Sequence, residues 1–520
     1  MNSPKSYFVL LAISCLLLLF SVYGKIFNPH SLNNRQAKWT IYLACFAQAI
    51  YGLFQFAGWL PSSHRYFTIT GSFDNPAGFT SVLAAVFPLG LYLLYNLKGW
   101  KRCGLIICQL IILSGIIFSG SRTGILAVAL AFIVFILLEY RERLLKLVLP
   151  RKLVLLPIAI ALLWGCYFLY QQKKNSANGR LLIWQVSWQM IKDKPLLGHG
   201  YGSFQTEYMD YQAVYFNKHP NSGLAMLADN VKHPFNEFLK VTVEFGFAGL
   251  LTIIGLYAVI VYRAIKSKDD WSSFLLSGLT SISIFACFSY PFHYAPVWLM
   301  LVFYLSLLLP KKNYHIGYST KNIGFRVCLF AITLIGIFII IGHVEAEMRW
   351  KKIAIKSLNG DTQKMLPEYE KLYRDSPLKK QPLFLYNYGA ELNHVGHYIQ
   401  SNAILAECRK KFNDYDLQML LAYNYEQTGK IGLALQRYQH AVEMIPCRFI
   451  PLYRLFKHYK ENGNIERARE YAEQIACKQI KIPSPTVRAI TLEAKNFLIH
   501  NQHNPNRIPK PPFQLLTNNQ

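Results

Sequence analysis

Residues 103–140 read CGLIICQLIILSGIIFSGSRTGILAVALAFIVFILLEY. Two apolar runs, 103–119 and 123–140, flank a tight polar turn, Ser119-Gly120-Ser121-Arg122. An α-helix rises about 1.5 Å per residue, so runs of this length suit a hydrocarbon core about 30 Å thick. With no water there to satisfy backbone groups, such runs fold as helices.

The same pattern recurs along the chain. Ten spans are predicted, at roughly 6–24, 39–60, 77–97, 103–119, 123–140, 152–170, 241–262, 272–290, 295–310 and 325–343. The first, preceded by Lys5, could instead be a signal peptide, but no small-x-small cleavage site follows it and it is read as a span. Of 520 residues 52% are hydrophobic and 16% charged, against about 25% charged in ordinary soluble domains. The fold class expected is therefore all-α: a polytopic transmembrane bundle of about ten helices, residues 1–344, with a long loop at 171–240. A polar, helix-like region follows at 345–520.

The net charge of +27 would suggest nucleic acid in a soluble protein. Here much of it lies in short loops, and no basic stripe interleaved with aromatics stands outside the membrane, so nucleic acid is not an expected partner. The loops at 25–38, 98–102, 141–152, 263–271 and 311–326 are basic and alternate with less basic ones at 61–76, 120–122, 171–240 and 291–294. The positive-inside rule places the basic set in the cytoplasm and the long loop and tail outside. Ten cysteines are scattered, with no CxxC pair or zinc-type Cys/His spacing, so no metal site is expected. Cys408, Cys447 and Cys477 leave a disulfide open if the tail is extracytoplasmic.

In the tail, Gly360, Gly396, Gly429 and Gly463 recur at the period of tetratricopeptide helix pairs, and Ala434, Tyr438, Ala441 and Pro446 follow the order of that motif's second helix. An α-solenoid with a concave docking surface for an acceptor or partner protein is predicted; a cap over the outer face is the plainer alternative.

Candidate chemistry lies on the loops facing outward. Arg122 stands in a turn that has no need of an arginine; its planar fork suits phosphate oxygens, although an arginine also snorkels to headgroups. Asn178-Gly179-Arg180 opens an amphipathic stretch with Leu181, Trp184, Trp188 and Met190, predicted to lie along the bilayer with Arg180 at the helix start, where an anion is favoured. Pro195, Gly198, Gly200, Gly202 and Phe204 form a sharp turn; with no βαβ unit around it, Gly198–Gly202 is not a dinucleotide loop. The loop closes on His233-Pro234-Phe235-Asn236-Glu237-Phe238-Leu239, followed by Glu244, Gly246 and Gly249. A histidine at a membrane entrance can accept a hydroxyl proton; on its own, His233 reads more readily as an interfacial helix cap.

Taken together, the Arg-containing turn, Asn-Gly-Arg-x3-Trp, Pro-x2-Gly-x-Gly-x-Gly-x-Phe, the His/Asn-x2-Leu-x4-Glu-x-Gly-x2-Gly entry and Gly71-Ser72-Phe73-Asp74-Asn75-Pro76 resemble the O-antigen ligase (Wzy-C) superfamily across roughly residues 70–310. The resemblance implies a metal-independent, cofactor-free GT-C type glycosyltransferase that moves glycan from undecaprenyl diphosphate at the outer face of a bacterial inner membrane. The acceptor would be a lipid, a growing polysaccharide or a protein. It implies His233 as catalytic residue and Arg122 and Arg180 as diphosphate-binding residues, with Asn236, Glu237 and Glu244 in support; the two acids could set the His233 tautomer. Many members read His-x-His-Asn where this chain has Phe235, so His199, His219 and His293 stand as reserve bases. Two other classes compete: a transporter or flippase of lipid-linked glycan, which would carry ionisable residues inside its spans, and an inactive scaffold presenting the tail.

Overall fold

A computed structural model describes residues 35–64, 66–140, 171, 174–267, 271–308 and 323–501. The predicted spans 6–24 and 152–170, and the basic loop 141–152 but for nothing at its edges, lie outside the described residues, as does most of 311–326.

Every regular element among the described residues is helical. In order they are α1 (Arg35–Phe56), α2 (Pro76–Tyr95), α3 (Trp100–Phe118), α4 (Arg122–Glu139), α5 (Lys174–Asp193), α6 (Ser203–Lys218), α7 (Glu237–Ser267), α8 (Ser272–Phe288) and α9 (Ala295–Ser306). Then come α10 (Ile323–Lys356), α11 (Thr362–Asp375), α12 (Pro382–His394), α13 (Tyr398–Arg409), α14 (Tyr415–Gln427), α15 (Ile431–Met444), α16 (Ile450–Glu461), α17 (Ile465–Cys477) and α18 (Pro485–His500). Among the described residues four helices, α2, α3, α4 and Glu237–Lys266 of α7, are long and apolar enough to cross a membrane, and α8 and α9 are shorter apolar helices. Only 6% of the apolar window of α7 is buried in protein. A surface that apolar is stable against lipid and not against water, so the protein is a membrane protein.

The described residues fall into two compact units, one of 1–211 with 231–413 and one of 212–230 with 414–520. In the first, α2 is the central post: 78% of its window is buried, with α1, α3, α4, α8 and α9 packed around it. It starts where Asn75 caps it, the side-chain oxygen accepting from the Ala77 and Gly78 N–H groups at 2.8 and 3.0 Å, with Pro76 at the first helical position. Pro88 inside α2 has no N–H to donate, which leaves the Ala84 carbonyl open. Ser281 Oγ of α8 donates to that carbonyl at 2.8 Å, and Tyr304 of α9 donates to the neighbouring Ala85 carbonyl at 2.6 Å. A helix interrupted in lipid is tolerated when a neighbour supplies the missing bond, and here Ser281 does, with Tyr304 bonded beside it.

The break in α7 is built on the same logic. Gly246 sits at φ 64°, ψ −168°, a region open in practice to glycine alone. The backbone groups freed by the break pair with the turn after α5: His199 and Gly200 N–H donate to the Val243 and Glu244 carbonyls, both at 2.9 Å. Phe247 and Ala248 N–H donate to the Pro195 and Leu196 carbonyls at 2.8 and 3.2 Å. The two backbones lie so close that a Cβ on Gly246 would run into the Leu196 carbonyl, and one on Gly198 would stand 2.5 Å from the Glu244 carbonyl carbon. The spacing of the Pro-x2-Gly and Glu-x-Gly motifs is thus the footprint of one contact.

The composition shift at Glu345 falls inside α10, which runs 34 residues without a break. Beyond it the helices pair in sequence order: α12 with α13, α14 with α15, α16 with α17 and α17 with α18. Gly360, Gly396, Gly429 and Gly463 all have positive φ at helix ends. In the second unit Ala434, Tyr438 and Ala441 are buried, and loop residues belong to it too: Gln212 Nε2 donates to the Met444 carbonyl at 2.7 Å, and Asn230 Nδ2 to Asp416 at 2.8 Å. Cys408, Cys447 and Cys477 are free thiols, so the disulfide left open by the sequence does not form.

Candidate active site at the loop exit

Four segments far apart in sequence meet in the first unit. Asn75, while capping α2, also donates from Nδ2 to the Tyr290 hydroxyl at 3.0 Å. Tyr290 stacks on His233, ring centroids 4.5 Å apart at 21°, and meets Phe235 edge-on at 5.4 Å. His293, on the short 3₁₀ turn Pro291–His293, lies 5.2 Å from the His233 ring. The Arg180 guanidinium stands 5.1 Å over the Phe235 ring, and Trp184, one turn further along α5, donates from Nε1 to the Pro234 carbonyl at 2.9 Å. Arg180 and Pro234 are thereby fixed to the same helix face.

Arg122 is the first residue of α4, with Ser121 as N-cap, its side chain accepting from the Gly124 N–H at 3.2 Å. Thr80 of α2 donates to the same Ser121 hydroxyl at 2.9 Å. A positive side chain opposes the dipole at a helix N-terminus by about 0.3–1 kcal/mol, so this position favours a bound anion. Arg122 also donates to Ser176 Oγ at 3.3 Å, which joins the start of α4 to α5. Burial lowers the Arg180 pKa from its ordinary value and the Arg122 charge nearby lowers it further. Two like charges from separate helices are thus within electrostatic reach.

The imidazoles respond to the same surroundings. The His233 pKa is lowered to about 3, first by burial and then by His293, Lys240 and Lys232. That of His293 is lowered by burial, with the Asp74 carboxylate opposing the shift and Lys240 adding to it. At neutral pH both rings are neutral.

One position departs from the sequence expectation. Arg180 is not at a helix start: α5 begins by Lys174, so Asn178-Gly179-Arg180 lies a full turn inside it. Flanking helix-formers extend the helix past the glycine, and the end with the favourable dipole belongs to Arg122's helix instead. The supporting residues have defined partners. Asn236 caps α7, its Oδ1 accepting from the Leu239 N–H at 2.9 Å. The Glu237 carboxylate faces the Phe292 backbone and that of Glu244 the Gly202 backbone. Glu237 thus ties the start of α7 to the His293 turn, while Glu244 serves the glycine turn.

Of the reserve histidines, His199 is buried with both ring nitrogens engaged, at 2.7 Å from Glu207 and 2.8 Å from the Met190 carbonyl. His219 lies in the second unit, Nδ1 at 2.9 Å from the Tyr215 carbonyl. His293 alone adjoins His233. Sequence reading missed Tyr290, on which the cluster is centred; its signal is the dense aromatic stretch Ser289-Tyr290-Pro291-Phe292-His293-Tyr294 at the end of an apolar run. Phe235, the residue in the second histidine position, holds φ at 54°, rare for a bulky side chain, and so presents its ring to Arg180.

Residues 106–254 match the family model described as O-antigen ligase. Three Rickettsia proteins, provisionally named polysaccharide ligases, are similar. That of R. typhi is 31% identical over 107 residues, covering 19% of this chain and 23% of its own length. That of R. conorii is 29% identical over 125 residues, 23% and 26% of the two chains. That of R. bellii is 27% identical over 182 residues, 32% and 40%. The chain thus spans between a quarter and two fifths, roughly, of the relatives it matches.

Proposed function

We propose, for a chain that belongs to the O-antigen ligase family through residues 106–254, that it is a GT-C type glycosyltransferase moving glycan from undecaprenyl diphosphate to an acceptor hydroxyl. The observation that carries this reading is that Arg122, bonded to Ser176 of α5, comes within electrostatic reach of Arg180 beside the His233–Tyr290 stack. Like charges held together are costly, and a diphosphate between them relieves the cost while its leaving oxygen gathers charge. Two arginines can supply the counter-charge that a divalent ion supplies elsewhere, so the reaction is read as metal-independent.

In the proposed step an acceptor hydroxyl oxygen attacks the anomeric carbon. The bond from that carbon to the diphosphate oxygen breaks, its electron pair leaves with the diphosphate, and the hydroxyl proton passes to His233. An imidazole titrating near 3 is a weak base at neutral pH. Neutral His233 therefore acts first as a hydrogen-bond acceptor that orients the hydroxyl, and the incoming diphosphate charge raises its basicity as transfer proceeds. Positioning and electrostatics supply most of the acceleration. The site is read as facing the outer side of a bacterial inner membrane. The transmembrane part is taken as 1–344 and the helical part, read as tetratricopeptide-like and able to dock an acceptor or a protein partner, as 345–520.

Alanine at Arg122, Arg180 and His233, one at a time, followed by transfer from a lipid-linked glycan in purified membranes, tests the proposal. Each is expected to lose activity; full activity in all three ends it. Phe235 in the second histidine position is the one observation that favours an inactive scaffold, and the wild-type assay separates the two.

A further inference from the structure

The α7 break also sets a depth. Residues 247–266 rise about 30 Å as a helix, by themselves the thickness of a hydrocarbon core. The break at Gly246 therefore falls at the membrane boundary on the side that carries the His233 cluster. The turn after α5 is fastened at that height by four backbone hydrogen bonds to residues 243, 244, 247 and 248. His199 folds back onto protein, but the large apolar side chains of the turn do not. Leu196, Leu197 and Tyr201 are 73%, 79% and 88% exposed, beside Phe245 and Phe247, themselves 45% and 37% exposed.

We infer that the turn at 195–201 is a lipid-inserted wedge: Leu196 and Leu197 enter the acyl region of the leaflet, and Tyr201 rests at its headgroup boundary. The occupant of this apolar surface is bilayer lipid, because the patch continues the lipid-facing surface of α7 without a polar gap at Gly246. Exposed Lys192 and Lys194 precede the two leucines, where their charges meet anionic headgroups while the leucines go deeper. The strict glycines serve the same end, since only backbone-to-backbone contact brings the turn close enough for its side chains to extend the face of α7. This inference rests on the membrane character of the chain and not on its chemistry.

The test uses the full chain in vesicles of phosphatidylethanolamine and phosphatidylglycerol, with a ketone-bearing amino acid coupled to a nitroxide at position 192, 196, 197 or 201. This labelling leaves the native cysteines in place. Power saturation compares oxygen, which partitions into lipid, with a water-soluble nickel chelate. Labels at 196 and 197 are expected to favour oxygen over nickel, that at 192 to favour nickel, and that at 201 to fall between them. Nickel-dominated relaxation at 196 and 197 places the turn in water and overturns the proposal. Exclusion of both reagents there means protein, such as a second copy of this chain, covers the patch, and overturns it equally. Transfer activity is not read, so failure here leaves the proposed reaction standing.

Discussion

Gly246→Ala isolates the contact between α7 and the turn. At φ 64° and ψ −168° an alanine is strained by about 1–3 kcal/mol, and its methyl group points into the Leu196 carbonyl, a backbone atom that cannot rotate away. The alternative is to separate the turn from α7, giving up four hydrogen bonds worth about 1 kcal/mol each. The chain takes the cheaper course, so the contact weakens by about 2–4 kcal/mol, or about 30- to 700-fold in the local opening equilibrium at 1.4 kcal/mol per factor of ten. Hydrogen exchange at the His199 and Gly200 amides, measured in detergent or nanodiscs, should accelerate by that factor. Gly255→Ala in the same helix meets nothing within 4 Å and should hold or raise stability by about 0.5–1 kcal/mol. Unchanged exchange at residues 199 and 200 in the Gly246 variant, or equal effects in the two variants, would refute the reasoning.

Other outcomes follow from single contacts. Arg180→Ala should cut transfer by about 10²–10³-fold, and Arg180→Lys should restore only part of it, because an ammonium lacks the two-pronged fork; initial rates decide. Since the His233 pKa in the free protein is lowered to about 3, kcat/KM for the lipid-linked donor should stay flat from pH 7 to pH 5, where an ordinary imidazole of pKa about 6.5 would lose more than tenfold. The same shift makes the unfolded chain take up a proton below about 6.5 that the folded chain refuses until about 3. Stability therefore falls as pH drops through that window, and His233→Phe should flatten the slope of melting temperature against pH. Asn236→Ala removes the cap bond to Leu239 at a cost of about 1 kcal/mol, read in thermal melts and recovered by Asn236→Asp. Gln212→Leu leaves the Met444 carbonyl unpaired inside the second unit, and calorimetry should show a loss of about 1–3 kcal/mol.

Helical architecture was legible because lipid leaves few choices: apolar runs of that length become helices whatever else they touch. The arginines and His233 were legible as outliers, charged or titratable groups beside apolar runs where such groups are expensive. Their surroundings were harder to read. Tyr290 resembles any interfacial tyrosine until the 3₁₀ turn after it brings it under His233. Arg180 looked like a helix-starting residue because Asn178-Gly179 reads as a break, yet packing of Leu182, Val186 and Ile183 carries the helix through. The glycine turn was visible as a turn, but its partner, fifty residues on, follows from a mutual approach of two backbones that no local pattern records.

The proline in α2 bears on how the chain is made. Ser281, which closes the gap beside it, is translated about two hundred residues later. Until α8 enters the bilayer, the nascent segment carries an open carbonyl at mid-depth, a state that water or an insertase must shelter. A nonsense mutation upstream of residue 272 would leave that shelter unreplaced, and the fragment should be a target for membrane quality-control proteases even though its remaining spans are intact.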